Sequence, residues 1–497
     1  MNAKREYDVM ITGAGPAGIS AAVGLRRGYT VALLERQAFP RAHIGEALTP
    51  GVPDILEFLG LGDVLARVPA IETAGTLRVW DRRNEATQLP PGGGLVADRA
   101  SFDQALLRAA SERDIDCYRH LNTVPERDGE GSFWKTAVAR ESGDQTIAAR
   151  LWIDARGRQP AQPSSYIQTA PAAIAMWAEF ACDAAQDSRL SRVEALHDAW
   201  LWGAPTTAGT YRVLAVSDPC VPRSLAPGSP STWLREALAR STLLRSYAGE
   251  PLAGRLGHCA AGPYVHADPW QTGFMKAGDA AFALDPLSSA GVEKAMRHAL
   301  QCVVAAHTLL DDSRDEEIAR GFYVDRLLES VANHACWTER HYGDAWAARE
   351  EVFWQDRAEA RVAREGSELA AMLAARLASV RATPAAEEPQ GAAHPDEDLA
   401  RQVLSRQTSV VLSPMARKVE TLCVVGDKAV AAPAVSHPSL PRPVAFLDGI
   451  AVTPMLPEAD KAINLHALVA RWSTSMPRRR AMQIACWLLE EEILIAC

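Results

Sequence analysis

The run Ala277-Gly278-Asp279-Ala280-Ala281-Phe282-Ala283-Leu284-Asp285-Pro286-Leu287-Ser288-Ser289-Ala290-Gly291-Val292-Glu293-Lys294 gathers what one electron-rich ligand needs. Asp279 follows a glycine at the end of an apolar, strand-like run from Thr272, where a carboxylate can hold hydroxyl groups. Pro286, Leu287, Ser288 and Ser289 form a turn, and Gly291 opens a segment with apolar residues at 292, 295, 296, 299, 303 and 304, the spacing of a buried helical face. The free N–H groups and positive dipole end of such a helix face whatever the turn cradles and favour an electron-rich or anionic group.

A second constellation lies near the N-terminus. The apolar run Tyr7 to Thr12 leads into Gly13-Ala14-Gly15-Pro16-Ala17-Gly18 and a small-residue helix to about Arg27. In strand, turn and helix, the first glycine permits the tight turn, the second lets backbone approach a pyrophosphate, and the third lets the helix pack against the sheet. The next strand, Thr30 to Leu34, ends in Glu35, which suits the two hydroxyls of an adenosine ribose and repels a 2′-phosphate. The two constellations are far apart in sequence but match two ends of one extended dinucleotide.

These elements require a parallel sheet with helices on its faces, and the chain is long enough for two or three domains. Hydrophobic residues make up 48% and charged ones 23%, as in an ordinary globular enzyme. A net charge of -9 disfavours nucleic acid and anionic membranes as partners. Nine cysteines without a C-x-x-C pair fit a reducing compartment. With no apolar signal region and no run of eighteen apolar residues, we expect a cytoplasmic chain with no transmembrane segment. His334 and His341 share a helix face without Cys336, so no metal site is expected and they are read as packing residues.

The run from Ala277 resembles the second FAD-binding motif of flavin monooxygenases shaped like para-hydroxybenzoate hydroxylase, and more closely the branch containing the flavin-dependent halogenases. Four further segments share the resemblance: Phe39-Pro40-Arg41-Ala42-His43-Ile44-Gly45-Glu46 (P-R-x-x-x-G-E), Asp98-Arg99-Ala100-Ser101-Phe102-Asp103, Leu151-Trp152-Ile153-Asp154-Ala155-Arg156-Gly157-Arg158 with Arg156 in place of a usual threonine, and Trp200-Leu201-Trp202-Gly203-Ala204-Pro205 (W-x-W-x-x-P). The resemblance implies FAD contacts at Gly13, Ala14, Gly15, Pro16, Ala17, Gly18, Glu35, Arg36, Arg41, Gly45, Glu46, Arg99, Gly278, Asp279, Pro286, Gly291 and Val292. Pro286, Ser288, Ser289, Trp200 and Trp202 are the candidates closest to the flavin; no catalytic acid or base is assigned. Alternating tryptophans place both indoles on one strand face, where they can wall a cavity and shield it from water.

The implied fold is α/β: a Rossmann-like FAD-binding domain (1–70, 98–160 and 265–311), an inserted β-sheet substrate domain (71–97 and 161–264), a helical extension (312–380), a linker (381–398) and a small winged-helix-like lobe (399–497). In the lobe, Leu465, Leu468, Val469 and Trp472 mark one helix, Ala481, Ile484, Ala485 and Leu488 a second, and Ile493-Leu494-Ile495 a terminal strand. Arg478, Arg479 and Arg480 fall in the second helix's first turn, where the dipole disfavours positive charge, so a partner is expected to compensate them.

The implied activity is aromatic hydroxylation: reduced FAD reacts with O2 at C4a, and the resulting hydroperoxide passes an oxygen atom to an electron-rich ring. The D-P-L-S-S-x-G turn, the W-x-W motif and the extra lobe together most resemble the flavoprotein monooxygenases that mature tryptophan-derived quinone cofactors of amine dehydrogenases and oxidases, including the quinohemoprotein type. That points to a protein or peptide substrate contacting the lobe. With no second dinucleotide fingerprint, NAD(P)H visits transiently or reduced flavin is delivered. A halogenase of a small or carrier-bound aromatic is the first alternative, and a flavin-bound chaperone without catalysis the second. Against the halogenase, aligning Glu72 to Trp80 on that family's K-x-G segment puts Thr73 where its relay lysine stands.

Overall fold

The computed structural model describes residues 5–41, 43–81, 85–121, 124–129, 131–139, 144–158, 166–182, 189–207, 209–220, 230–252, 254, 256–311, 315–359, 367–382 and 408–497. The helices are α1 (Pro16–Leu25), α2 (Gly51–Phe58), α3 (Arg99–Ser111), α4 (Pro230–Arg240), α5 (Gly291–Leu310), α6 (Glu316–Arg349), α7 (Val352–Ala358), α8 (Glu368–Ala382), α9 (Leu465–Trp472) and α10 (Arg478–Glu490). The chain divides into two compact units, 1–316 with 323–377, and 317–322 with 378–497.

At the centre of the first unit, strand Arg5–Thr12 lies in parallel between Val31–Glu35 and Gln145–Asp154, and Phe274–Lys276 and Asp116–His120 extend the parallel pairing on either side. Val9, Met10, Ile11 and Val31 to Leu34 are buried without alternation, as expected of parallel strands covered on both faces. One face carries an aromatic cluster of Tyr7, Tyr118, Trp134, Trp152 and Phe274, and on the other α1 packs against α5. The parallel strands end side by side at Thr12, Glu35, Asp154 and Lys276, so the loops that follow gather at one edge, where α/β sheets hold ligands.

A second, seven-stranded sheet has Ile174–Ala181, Leu190–Ala195, Ala199–Pro205 and Thr210–Ser217 at its core, with Gly75–Val79 paired in parallel to Leu190–Ala195. Period-2 alternation sorts its faces. Met176, Ala178, Phe180, Leu201, Val213 and Ala215 pack on Trp233 and Leu234 of α4, which leaves Ala175, Trp177, Glu179, Trp200, Trp202, Arg212 and Leu214 for the opposite face. The stretch from Thr76 to Val96 does not all join this sheet: Leu95–Ala97 pairs instead with Ala47–Leu48 and Ala70–Glu72.

In the second unit α9 and α10 have the expected faces, with Leu465, Leu468, Val469, Trp472, Ala481, Ile484, Ala485 and Leu488 in one core. Leu494–Ala496 pairs with Ser409–Leu412. The hairpin of Arg417–Val425 and Lys428–Ser436 was not anticipated; the signal that could have found it is Gly426-Asp427, a two-residue turn between apolar runs. Arg480 pairs with Asp448 at 2.6 Å, so one of the three arginines is compensated from within the chain; Arg478 and Arg479 are exposed. The expected linker at 381–398 lies outside the described residues from 383 onward. Among the described residues no helix is long and apolar enough to cross a membrane.

Candidate functional site

One cavity of about 1100 Å³ runs along the strand ends and under the second sheet, at or above the upper end of the roughly 300–1,000 Å³ usual for small-molecule sites. Its wall includes Gly13, Gly15, Pro16, Ala17, Glu35, Arg36, Arg41, Gly45, Glu46, Arg99, Asp279, Pro286, Ser288, Ser289, Gly291, Val292, Trp200 and Trp202. The two distant constellations therefore meet in one space. Ala14, Gly18 and Gly278 stand behind that wall and act through the backbone. Ala14 N–H donates to Glu35 Oε2 at 2.8 Å, Gly278 N–H donates to His298 Nδ1 at 3.1 Å, and Gly18 is buried against Gly13.

Two helices point their N-termini into the cavity, and neither is capped by a side chain: Gly15 precedes α1 and Ala290 precedes α5. First-turn N–H groups there lack intrahelical partners and favour anionic or electron-rich atoms. Two such ends in one cavity, with the Glu35 and Asp279 carboxylates both in its wall, fit an extended dinucleotide such as FAD. Glu35 is itself held by Ala14 N–H, by Gln37 N–H at 2.9 Å and by Arg41 at 3.3 Å. The Arg99 guanidinium donates to Asp103, Ile44 O and Gly45 O, fixing the loop that brings Arg41 and Glu46 to the wall.

Asp279 is paired with Lys294 Nζ at 2.5 Å and Arg158 Nε at 3.4 Å. Burial alone would raise its proton affinity, but Lys294 and Arg158 outweigh this and hold the carboxyl below its ordinary range. Lys294 also donates to Phe282 O at 2.6 Å, and burial lowers its own pKa against the pull of Asp279. Arg158 reaches Ala260 O, Gly262 O and Leu284 O as well, tying the second sheet to the turn.

The turn is clamped from α6. Asp285 N–H donates to His334 Nε2 at 3.0 Å, and the Asp285 side chain caps Leu287 N–H at 2.9 Å while accepting from Tyr342 Oη. His334 is thus a hydrogen-bond acceptor for the turn and more than a packing residue; burial, with Lys294 nearby, lowers its pKa to about 4 and keeps the ring neutral. Trp200 Nε1 donates to Tyr342 Oη at 3.0 Å. Across the cavity Arg212 ion-pairs with both Glu46 and Glu179, so its charge is neutralised by buried carboxylates. Sequence patterns flagged neither Tyr342 nor Arg212, since each acts across contacts that no local motif encodes.

Arg156, standing where threonine was expected, turns back on Asp154 with two 2.8 Å hydrogen bonds, and Lys276 adds a third contact at 3.4 Å. Burial raises the Asp154 pKa, but Arg156 and Lys276 pull it below the usual carboxylate value. Asp154→Asn should cost about 3–5 kcal/mol at neutral pH by leaving two cations without their anion. A lowered folded pKa gives stability that is complete above the unfolded value near 3.9 and is lost as pH falls through the folded one. Urea unfolding of both proteins at neutral and at strongly acidic pH should show the gap shrinking at the acid end; an equal gap at both contradicts the assignment.

Residues 6–197 match the sequence profile of a family described as FAD binding domain. A tryptophan 2-halogenase of Chondromyces crocatus is 27% identical over 63% of this chain and 64% of its own length, so the match spans less than two thirds of that relative. Among solved structures, the peptidyl tryptophan dihydroxylase QhpG, essential for tryptophylquinone cofactor biogenesis, superposes with a TM-score of 0.72 at 22% identity, over 98% of this chain and 99% of that one. CmlS, a flavin-dependent halogenase, does so with a TM-score of 0.72 at 19% identity, over 99% and 96%. Residues 6–197 therefore resemble an FAD-binding domain, set in a fold that nearly the whole chain shares with QhpG and CmlS.

Proposed function

We propose that this chain is an FAD-dependent monooxygenase that hydroxylates the ring of a tryptophan side chain within a protein or peptide. The observation that carries oxygen over halogen is the cavity wall: Thr73 stands in it where the halogenase resemblance calls for a lysine, and none of the described residues lining the cavity is a lysine. Threonine has neither the reach nor the amine to relay an oxidised halide. Bound FAD supplies, once reduced, the electrons that activate dioxygen. The protein's own residues orient, enclose and neutralise. Trp177, Trp200, Trp202, Val193 and Leu214 line the half of the cavity under the second sheet and exclude water from a planar apolar ring. Arg212, neutralised by Glu46 and Glu179, is not available to hold an anionic substrate, which favours an uncharged aromatic such as indole.

Similarity to a peptidyl tryptophan dihydroxylase along nearly the whole chain supports a polypeptide substrate, with residues 399–497 offering the docking surface that a small aromatic does not need. The test is mass spectrometry of tryptophan-containing peptides after turnover with FAD, NAD(P)H or reduced flavin, and oxygen-18 gas. Incorporation of labelled oxygen into the indole ring is expected, and unlabelled peptide in all reactions would overturn the reading. In the full chain, Arg478→Glu with Arg479→Glu should raise KM for the peptide and leave the flavin spectrum unchanged.

The tryptophan 2-halogenase relative favours a second reading, halogenation of the same kind of ring. Bromide in the same assay separates the two: brominated product in place of hydroxylated product selects the halogenase. Under the hydroxylase reading, Thr73→Lys alone should not create bromination.

A further inference from the structure

Trp200, Tyr342 and Asp285 form a hydrogen-bond chain whose direction is fixed by chemistry. An indole N–H can only donate, so Trp200 Nε1 gives its proton to Tyr342 Oη at 3.0 Å. Tyr342 must then direct its own proton onward, and its Oη lies 3.2 and 3.1 Å from Asp285 Oδ1 and Oδ2. Leu287 N–H donates to Oδ1 at 2.9 Å. These donors leave acceptor capacity on Oδ2. Asp285 lines the cavity beside Pro286, Leu287 and Trp200, although it is only 3% exposed. Its position is held at three points: on α6, His334 takes its backbone N–H and Tyr342 its carboxylate, and within the turn Leu287 N–H adds the third contact. None of its described hydrogen-bond partners is a cation, in contrast to Asp279 and Asp154 in the same region.

We propose that Asp285 accepts the proton released by the substrate's ring carbon after oxygen is added there, with Tyr342 a positioning residue that holds the carboxylate; this rests on the hydroxylase reading above. Forming a C–O bond on an aromatic ring uses a ring electron pair and leaves that carbon bearing both oxygen and hydrogen. Aromaticity returns when the C–H bond breaks, its electron pair re-enters the ring, and the proton forms an O–H bond on Asp285 Oδ2. Dioxygen is the oxidant of the preceding addition and the reduced flavin its electron donor. The proton transfer itself changes no oxidation state, and Asp285 afterwards returns the proton to water. Burial raises the proton affinity of Asp285, opposed first by Leu287 N–H and Tyr342 and then by Arg357 and Arg158, which brings an aspartate closer to the affinity a general base needs near neutral pH. His334, whose ring also faces the turn, is neutral.

The experiment uses the full flavin-loaded chain and a synthetic tryptophan peptide, with the indole ring protiated or deuterated. Asp285→Asn should keep the flavin spectrum and the oxygen consumed in a single turnover without releasing hydrogen peroxide, and slow the appearance of rearomatised, hydroxylated peptide by about 10²–10⁴-fold. A ring-deuterium isotope effect, absent in the wild type, should appear in the residual reaction. Tyr342→Phe should give a smaller loss and shift the pH profile of product formation. Product from Asp285→Asn at the wild-type rate overturns the proposal while leaving the hydroxylase reading intact; a wild-type chain that hydroxylates no peptide sinks that reading first. Independently of turnover, difference infrared spectra of the flavin-free protein should show a carboxyl band that titrates above the usual aspartate range, vanishes in Asp285→Asn and moves in Tyr342→Phe. Absence of that band also overturns the proposal.

Discussion

Gly18→Ala is expected to give a chain that leaves purification without flavin. A Cβ at Gly18 would lie 1.8 Å from the Gly13 carbonyl oxygen and 3.4 Å from Ala155 Cβ. Gly13 cannot yield, because its φ of +101° places its own hypothetical Cβ 2.5 Å from Ala155 O, and its N–H is bonded to Leu34 O at 2.7 Å. Ala155 is pinned in turn by its N–H on Thr12 O at 2.8 Å. The remaining freedom is for α1 to back away, which withdraws its uncapped N-terminus from the cavity. Overpacking a core usually costs about 1–3 kcal/mol, and a clash with fixed backbone belongs at or above the top of that range. Flavin absorbance of the purified variant and its thermal midpoint are the readouts. Wild-type flavin content would show that α1 does not need to lie so close.

Lys294→Met should weaken FAD binding by roughly ten- to a hundredfold, the value of a lost charge-assisted contact. It removes the 2.5 Å bond to Asp279 and the 2.6 Å bond to Phe282 O, leaving Asp279 with Arg158 alone. The pH dependence has a definite sign. In the wild type, Asp279 stays ionised below the ordinary aspartate range, so it can accept hydroxyl hydrogen bonds throughout mild acid. Without Lys294, burial dominates and the carboxyl protonates at higher pH, so the affinity loss should deepen as pH falls. Flavin fluorescence titrations of the apoprotein at several pH values measure this. Identical affinity and an identical pH profile in wild type and variant would remove Lys294 from the cofactor site. In an Asp279→Ala background the further change at Lys294 should cost little affinity, because the two act as a unit.

What was legible in the sequence were the features confined to one element or turn. Gly13 to Gly18, Glu35 and the stretch from Asp279 to Gly291 each announce a local geometry through residue type, and the cavity collects them where the strands end. The α9 and α10 faces followed from spacing alone. What escaped was set by pairings between distant parts of the chain. Tyr342 meets Asp285 and Trp200 across long separations, Arg212 meets Glu46 from another sheet, and His334 turned out to hold a backbone N–H that periodicity cannot display. The Arg417–Val425 hairpin escaped for a different reason: much of both its strands is exposed or half-buried, which blurs the two-residue alternation.

The clamp from α6 also sets an order of events during synthesis. Every strand end and helix N-terminus that faces the cavity has been made by the time Val292 is added, but His334 and Tyr342 come later, by roughly 50 residues at the far end, which is several seconds at about 5–20 residues per second. A nascent chain therefore passes through a stage in which the cradle exists but the turn from Asp285 to Ser289 lacks its hold from α6. A ribosome stalled within that window would display a cavity whose floor is complete and whose latch has yet to be made.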